Sequence, residues 1–519
     1  MKKFLFIIAF LFTSQLTYAE ISVQYFGGAE RVSGSCALLK TDNASVIIDC
    51  GTFYEEGSLP VDNQNINPVL LNADALVLTH AHIDHAGLIP VLVGKGFKGN
   101  IYCTSATKKI VFELYDDGWN FEEVEQNYFW SKTQRLNCQQ KQRGTVTLHW
   151  FDKCSNSIAN KESLNKKVSA EELKKIYKTK FRLCKKCLNA YLKNLSNRFV
   201  EIKYHNIMKI SDGISFSLHN AGHIPGSASI LFYVTDGNLS KTIIFSGDLG
   251  SGYSKLVLNK EISKKADYIF VEGTYGSGNR KIDFSDYGNF QKTLADELNK
   301  NNIVWIPALA LQRTQKVLYE IKKAQDKGII NKNVPVYSLS PSSNGLTKLY
   351  EAEIKNPSAE KWFSEDIYGE NSLIPVKYIT SKPKEYPKPA IVLSASGMMD
   401  KGVSFSLLGR LLPRKDVSVF LVSYAGPQTP AGQLKKGAKK IKTKYGPVEV
   451  SASVKSFDIF SDHPGINETI KWLGQDNKTT NIYFVHGEKK ELESAKEILK
   501  QIGFVNSKVA PLNKKIRIE

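Results

Sequence analysis

Histidine is scarce in this sequence, with nine residues among 519, and none lies between residues 279 and 444. The middle of the chain therefore offers no imidazole that could bind a metal or transfer a proton. Because histidines are so few, chance is a poor explanation wherever several occur together. A group of them indicates a site.

Acidic residues are outnumbered by basic ones. Asp and Glu total 51 against 70 Lys and Arg, which gives a formal net charge of +19 and an isoelectric point near 9.3. This excess attracts polyanions such as nucleic acid, although basic exported proteins without such a partner also exist. The composition, 42% hydrophobic and 23% charged, is that of a soluble globular protein, and the length predicts two domains, one nested in the other.

The apolar run near the N-terminus is too short to span a bilayer. Residues 4–12 are apolar, follow Lys2 and Lys3, and precede a more polar stretch that ends in Thr17-Tyr18-Ala19. This pattern predicts a signal peptide over residues 1–19 and export to the periplasm or the medium, without stable membrane insertion after cleavage. A buried first strand or an uncleaved anchor is the other interpretation, and a cytoplasmic location is the alternative to export.

Cysteine does not define a clear disulfide framework. The seven cysteines are an odd number, so at least one is unpaired or all are reduced. Cys184 and Cys187 form a CxxC pair, with Cys154 and His149 upstream, in a Lys- and Asn-rich insert at about residues 132–198. A structural zinc knuckle and disulfides in an exported protein both fit this pattern.

Residues 79–87, THAHIDHAG, carry the densest group of chemical side chains in the chain. They follow an apolar run at 75–78 that is typical of a buried strand, and they precede a helix-like run at 88–93. The potential metal ligands are His80, His82, Asp84 and His85. This set exceeds what one four-coordinate zinc ion takes, and alternate residues at a strand end point to one side. We therefore expect two metal ions, with the first two histidines on one and the last two residues on the other.

Further apolar strands each have an acid or an imidazole at or just after their carboxyl end. These strands are predicted at residues 46–49, 214–218, 242–245, 268–271 and 482–485. The side chains at or after the strand ends are Asp49, His223, Asp248, Glu272 and His486, and His463 follows the apolar pair at 459–460. Histidines thus reappear near the C-terminus, which suggests that the last strands complete a site begun near the N-terminus.

Helix-like and strand-like segments alternate between about residues 279 and 444. The alternation predicts a second α/β sheet that is largely parallel. The end of this region, residues 433–444, contains six lysines. These lysines either line a path for a polyanion or form a solvated face.

Taken together, these segments resemble the metallo-β-lactamase fold, and their arrangement resembles its β-CASP branch of RNA-processing nucleases. Residues 80–85 match the HxHxDH motif, and residues 306–315 and 394–399 give further matches. The resemblance implies an α/β fold in which an αββα sandwich holds an inserted α/β (β-CASP) domain. The implied division is signal peptide 1–19, first part of the sandwich domain 20–272, β-CASP domain 273–446 and completion of the sandwich domain 447–519.

The resemblance also implies a centre of two Zn²⁺ ions. One ion would be held by His80, His82 and His223. The second would be held by Asp84, His85 and His486. The carboxylate of Asp248 would bridge the two ions, and such a centre activates water for phosphodiester hydrolysis.

Three further residues receive roles from the resemblance. His463 would be the general acid that protonates the leaving oxygen, oriented by Glu272. Asp49 would orient a ligand histidine or the attacking water from behind the metal ligands. Two segments depart from the family: Ser404-Phe405-Ser406 stands where bacterial relatives usually carry a His pair, and residues 428–432 replace a Gly-Thr-Leu element. Both lie in the inserted domain, so they affect substrate handling and leave the metal ligands complete.

The expected function is that of a zinc-dependent ribonuclease, most simply an endoribonuclease, with exonuclease activity as an option. The motifs at His463 and His486, together with a basic inserted domain, favour RNA as substrate. The alternatives are an exported DNase or other phosphodiesterase of the same fold, and a non-catalytic nucleic-acid-binding relative. The chain could also form a homo-oligomer.

Overall fold

The computed structural model describes residues 20–54, 63, 66–116, 191–278, 285–356, 360–364, 367, 377–378, 385–443 and 446–519. The predicted signal peptide lies outside these residues, as do the CxxC pair, Cys154 and His149, so export and the zinc knuckle stay predictions. The described cysteines, Cys36, Cys50 and Cys103, are buried and free. Among the described residues, no helix combines the length and the hydropathy needed to cross a bilayer.

Two seven-stranded sheets form the first domain. The first sheet has the order β22-β1-β2-β3-β4-β5-β6. Its strands are β1 Ile21–Gly27, β2 Cys36–Lys40, β3 Ser45–Ile48, β4 Ala75–Val77, β5 Asn100–Cys103, β6 Phe199–Glu201 and β22 Lys515–Ile518. The first and last strands of the chain are antiparallel neighbours in this sheet, so both ends of the described chain belong to one domain.

The second sheet has the order β21-β20-β11-β10-β9-β8-β7. Its strands are β7 Met208–Ser211, β8 Ile214–Asn220, β9 Ala228–Asp236, β10 Leu239–Phe245, β11 Tyr268–Glu272, β20 Asn481–Val485 and β21 Ser507–Val509. β11 and β20 are parallel neighbours although more than two hundred residues separate them in the chain. The second sheet is therefore complete only when the C-terminal segment returns to it.

The central strands carry apolar side chains on both faces. One face of each sheet packs against the other sheet, and the opposite face is covered by helices. On β11, Tyr268 and Phe270 point into the core between the sheets, while Ile269 and Val271 point to the opposite face. On β20, Tyr483 and Val485 point inward in the same way. Alternation of this kind follows from the two-residue repeat of a strand. A strand that is apolar on both faces must be covered on both, which makes these the central strands of a layered fold.

Helices cover the outer faces of the sandwich. On the first sheet these are α1 Ile83–Ala86, α2 Ile89–Gly94 and α3 Ser105–Asp116, and residues 191–196 are also helical. On the second sheet they are α9 Ile466–Leu473 and α10 Lys489–Gln501. The four layers agree with the predicted αββα sandwich. Tyr191 and Leu195 belong to the core under the first sheet. The sandwich domain therefore resumes before residue 198, within the insert that we predicted at about 132–198.

The inserted domain is built on a third sheet in which every pairing is parallel. Its strands, in the order β14-β13-β15-β12-β16-β19, are β12 Ile303–Pro307, β13 Val336–Ser338, β14 Lys377–Tyr378, β15 Ala390–Ser394, β16 Val417–Leu421 and β19 Ser453–Ser456. Its helices are α4 Ser285–Asn299, α5 Arg313–Asp326, α6 Pro341–Lys355, α7 Gly402–Leu411 and α8 Pro430–Lys435, and a hairpin adds β17 Lys440–Thr443 and β18 Gly446–Glu449. The largely parallel sheet expected from the alternating segments is present.

The third sheet extends further along the chain than the sequence indicated. β19 pairs with β16 and begins at Ser453, after residue 446, where we placed the end of the inserted domain. A polar strand such as Ser453–Ser456 has no apolar pattern that would reveal it, and it is held by backbone pairing at the sheet edge. The strand thus pairs with the inserted sheet, and the division at residue 446 stays a prediction.

Phe270 tests the packing between the two sheets of the sandwich. Its ring is buried and stacks on Phe245 and Tyr483, with centroids 4.9 and 5.3 Å away. Phe270→Ala should lower the free energy of unfolding by about 3–5 kcal/mol, measured by urea denaturation, because it leaves a cavity at the centre of the core. Tyr233→Ala, on the exposed face of β9, is the control and should lower it by no more than about 1 kcal/mol. Equal losses in the two variants would contradict this packing.

Candidate metal centre

Parallel strands in register bring distant residues to one edge of the sandwich. In the second sheet, β10, β11 and β20 run side by side, with Phe245 opposite Phe270 and Glu272 opposite Val485. The residues at or just beyond their carboxyl ends are Asp248, Glu272 and His486. In the first sheet, β3 and β4 are likewise parallel, with Ile48 opposite Val77, so Asp49 lies beside the start of the histidine-rich segment.

The histidine-rich segment leaves β4 as a loop and then turns into a helix. His80 and His82 lie in the loop, and His82 is the N-cap of α1. Asp84 and His85 lie on α1. The first pair therefore lies before α1 and the second pair within it, and our explanation by strand alternation was wrong, because the strand ends at Val77.

Three imidazoles from two segments converge in a first cluster. Nε2 of His80 lies 3.0 Å from Nδ1 of His82, and Nε2 of His223 lies 3.1 Å from that same atom. Nitrogen ligands about 2.0–2.1 Å from one tetrahedral zinc ion lie roughly 3.3 Å apart. The spacing of the three nitrogens therefore fits one ion.

A second cluster lies on the other side of Asp248. One ligand atom each from Asp84, His85 and His486 lies within 4.8 Å of the others. Nε2 of His486 is 3.4 Å from Oδ2 of Asp84. The chain thus brings residues 84 and 486 together, as a site shared by the two ends of the chain requires.

Asp248 separates the two clusters and presents one carboxylate oxygen to each. Oδ2 lies 3.5 Å from Nε2 of both His80 and His223. Oδ1 lies 3.1 Å from Nε2 of His85 and 3.5 Å from Nε2 of His486. A carboxylate placed in this way can bridge two cations.

Unpaired buried atoms test whether this centre fits metal ions. Nε2 of His85 and Oδ1 of Asp248 are fully buried and lie 3.1 Å apart, but neither makes a hydrogen bond of good geometry among the described residues. Burying polar atoms without partners is costly, so such atoms usually serve another interaction. A lone-pair nitrogen and a carboxylate oxygen are both ligands that zinc accepts. The donor set therefore fits two divalent ions.

Burial keeps the first cluster in the form that binds metal. Desolvation lowers the pKa of His80 and of His223 well below the usual value and lowers the pKa of His82 to about 4. These three rings are therefore neutral at neutral pH, as metal-binding imidazoles must be. For His85, burial also lowers the pKa, but the carboxylates of Asp248 and Asp49 outweigh it and raise the pKa well above the usual value.

Asp49 orients the second cluster from behind. Its Oδ2 accepts a hydrogen bond of 2.7 Å from Nδ1 of His85, which directs Nε2 towards Asp248. It also accepts hydrogen bonds from the backbone N–H and the hydroxyl of Thr79, at 2.7 and 2.8 Å. The hydroxyl oxygen of Thr79 lies 3.0 Å from Nδ1 of His80, so Thr79 links the supports of both clusters. A carboxylate that fixes the tautomer of a ligand histidine raises its metal affinity.

His463 lies at the open side of the centre and is held by Glu272. Its Nδ1 is 3.0 Å from Oε2 of Glu272, and its Nε2 is 3.9 Å from Oδ2 of Asp248. The side chain is 20% exposed, against 1% for Glu272. Burial lowers the pKa of His463, but the Glu272 carboxylate outweighs this and raises it to about 10. Glu272 therefore favours the protonated form of His463, and the second ring nitrogen faces the centre.

The structure adds three polar residues that we did not assign from the sequence: Thr79, Thr274 and Tyr54. The hydroxyl of Thr274 donates to Glu272 at 2.7 Å and lies 3.1 Å from Nδ1 of His486. The hydroxyl of Tyr54 donates to Oδ2 of Asp84 at 3.0 Å. Hydroxyl residues are common in loops, and a single sequence offers no signal that separates these from others.

The inserted domain also contacts the centre. Gln312, just before α5, donates a hydrogen bond to the backbone oxygen of His223 at 3.3 Å. On α5, the buried ammonium of Lys316 donates to Oδ1 of Asp462 at 2.6 Å, next to His463. The segment at 306–315, which matched the family motif, thus lies against the metal centre.

Three family models match the chain. The metallo-β-lactamase superfamily model matches residues 29–150, and the Beta-Casp domain model matches residues 314–434. A third model, described as the Zn-dependent metallo-hydrolase RNA specificity domain, matches residues 447–510. The matches follow the same order as the sandwich, the inserted domain and the returning strands.

Several curated proteins are similar along most of this chain. An RNase J-like protein of Methanocaldococcus jannaschii is 25% identical over 480 residues, 90% of this chain and 93% of that protein. A ribonuclease of Thermus thermophilus is 24% identical over 489 residues, 91% and 95% of the two chains. The transcription termination factor FttA of Methanosarcina mazei is 26% identical over 505 residues, 91% of this chain and 67% of that one.

A solved structure supports the fold. The crystal structure of a protein of unknown function from Enterococcus faecalis V583 has a TM-score of 0.50 and 12% identity, covering 96% of this chain and 100% of that one. At this identity the likeness concerns the fold alone.

Asp49→Asn tests the support behind His85. The backbone of Asp49 has φ 58°, a conformation that Asn tolerates well, so the change removes the charge and leaves the turn intact. We expect a 10–100-fold loss of metal affinity, measured by competition with a chromophoric chelator. Thr79→Ser keeps the hydroxyl and should keep the affinity. Unchanged affinity in Asp49→Asn would show that the carboxylate does not orient a ligand.

Proposed function

Because this chain belongs to the β-CASP branch of the metallo-β-lactamase superfamily and is a hydrolytic nuclease of that type, we propose that it cleaves RNA phosphodiester bonds at a centre of two zinc ions. The observation that carries the proposal is the position of Asp248, which presents one oxygen to each of two clusters of ligands. The two clusters share this one carboxylate, so two ions held by them would be bridged by Asp248.

Each cluster would hold one ion. His80, His82 and His223 would hold the first, and Asp84, His85 and His486 the second. When bound, two such ions supply a hydroxide nucleophile at neutral pH and neutralise charge on the phosphate. The protein then needs no nucleophile of its own.

His463 would supply the proton that the leaving oxygen needs. With Nδ1 held by Glu272, the other nitrogen faces the side of the centre where Asp248 lies. Its raised pKa keeps the ring protonated at neutral pH, so a proton is available throughout that range. A positioned proton donor is worth about 10²–10⁴ in rate.

RNA is the substrate that the comparisons favour. Two of the similar proteins are named as an RNase J-like protein and a ribonuclease, and the model matched at residues 447–510 is described by RNA specificity. The net charge of +19 agrees with a polyanionic substrate. The complete set of ligands argues against a non-catalytic relative, while a DNase of the same fold is the rival that needs an experiment.

Matched oligonucleotides test the substrate. Zinc-loaded protein should cleave end-labelled single-stranded RNA and leave DNA of the same sequence largely intact. His82→Ala should show no cleavage above background because it removes a ligand of the first cluster, while its circular dichroism stays that of the wild type. Lys209→Ala, an exposed residue of β7, is the control and should cleave normally. Cleavage of DNA but not RNA would overturn the proposed substrate.

Glu272→Gln tests the role of His463 through pH. The general acid is active when protonated, so its activity is present below its pKa and is lost above it. Because Glu272 raises the pKa of His463 to about 10, the neutral amide should lower that pKa and move the alkaline limb of kcat towards neutral pH. Thr274→Ser keeps the hydroxyl that contacts Glu272 and should leave the limb in place. An unshifted limb in Glu272→Gln would exclude His463 as the acid.

A further inference from the structure

A second group of metal-ligand side chains lies away from Asp248, at the surface of the second sheet. It contains His205, in the loop between β6 and β7, His219, in β8, and Glu261, in the loop between β10 and β11. One ligand atom from each lies within 4.8 Å of the others. Three segments that are distant in sequence therefore place two of the nine histidines and one carboxylate together.

The spacing of these atoms suits one cation. Nε2 of His205 lies 3.4 Å from Oε1 of Glu261, and Nδ1 of His219 lies 3.6 Å from Oε2. Ligands at about 2.0–2.2 Å from zinc are separated by roughly 3.3 Å in tetrahedral geometry. The two histidines thus reach different oxygens of the carboxylate, and one ion would draw together ligand atoms that lie within 4.8 Å of one another.

Hydrogen bonds from behind already orient two of the three ligands. Nε2 of His219 lies 3.0 Å from Oγ of Ser217, so a proton on that nitrogen leaves the Nδ1 lone pair free. The Glu261 carboxylate accepts a hydrogen bond of 3.1 Å from the backbone N–H of Asn220. A hydrogen bond to the nitrogen of a histidine that does not face the ion, as at His219, is typical of metal sites.

His205 is held by its backbone. Its φ is 66°, a conformation that is uncommon for residues other than glycine, and its N–H donates to the backbone oxygen of Leu218 at 2.9 Å. This bond connects the His205 loop to the strand that carries His219. The ring of His205 then lies 5.0 Å from that of His219, centroid to centroid, in an edge-to-face arrangement.

We propose that His205, His219 and Glu261 form a third site for a divalent ion, separate from the centre at Asp248. Two imidazoles and a carboxylate are a ligand set that zinc accepts, and other late first-row metals share this preference. The side chain of His205 is 59% exposed, so solvent can provide the fourth ligand. A bound ion would join the His205 loop and the Glu261 loop to His219 in β8, four residues before His223.

Zinc content per chain tests this site. Protein loaded with Zn²⁺ is separated from free ion by gel filtration, and metal and protein are quantified together. Wild type should retain about one more zinc ion per chain than His219→Ala and than His205→Ala. Lys209→Ala, nearby on β7, should match the wild type. His205→Ala changes an exposed side chain, so it keeps the test usable if His219→Ala does not fold.

Equal zinc content in wild type and both histidine variants would overturn the proposal and leave a histidine–carboxylate ion pair only. RNA cleavage separates this result from a failure of the proposed function, because both variants should cleave at the wild-type rate. Loss of cleavage together with loss of more than one ion would show that the residues support the centre at Asp248, and it would overturn a separate site.

Discussion

A carboxylate buried to 2% exposure among four imidazoles is the constraint on which the site depends. Asp248 presents Oδ2 to His80 and His223 and Oδ1 to His85 and His486. Removing a charge from water is costly unless partners compensate it, and the neutral rings of His80 and His223 compensate it poorly. Two cations between the carboxylate and the imidazoles would provide that compensation. The buried atoms without hydrogen bonds at His85 and Asp248 have the same explanation.

The arrangement does not depend on one local motif. The fold brings the carboxyl ends of several strands to one edge, where the side chains that follow them meet. β11 and β20 align Glu272 with Val485, so the residues that follow them meet although the inserted domain separates them in the chain. The returning segment carries His463 and His486, and it passes through the inserted sheet as β19 before reaching the sandwich. The inserted domain is therefore connected to the centre through this strand as well as through Gln312 and Lys316.

Much of this organisation could be predicted from the sequence, because apolar strands that end in an acid or a histidine are a strong pattern. The strands that end near Asp49, Asp248 and Glu272 lie where the pattern indicates, and the alternating middle region forms a parallel sheet. The pattern did not predict the elements whose formation depends on tertiary contacts. The helix at Asp84 and His85 is only four residues long, and β19 is polar and held by backbone pairing. Thr79 and Thr274 act through hydrogen bonds that no spacing in a single sequence reveals. The group at His205, His219 and Glu261 also has no signal in the sequence, because it forms only when the chain folds.

Anomalous diffraction at the zinc edge, from crystals of the zinc-loaded protein, tests the central claim most directly. We expect two peaks that flank the carboxylate of Asp248, about 3.5–4 Å apart, one against His80, His82 and His223 and the other against Asp84, His85 and His486. A single peak at this carboxylate, or two peaks that do not share it, would exclude a centre of two zinc ions bridged by Asp248.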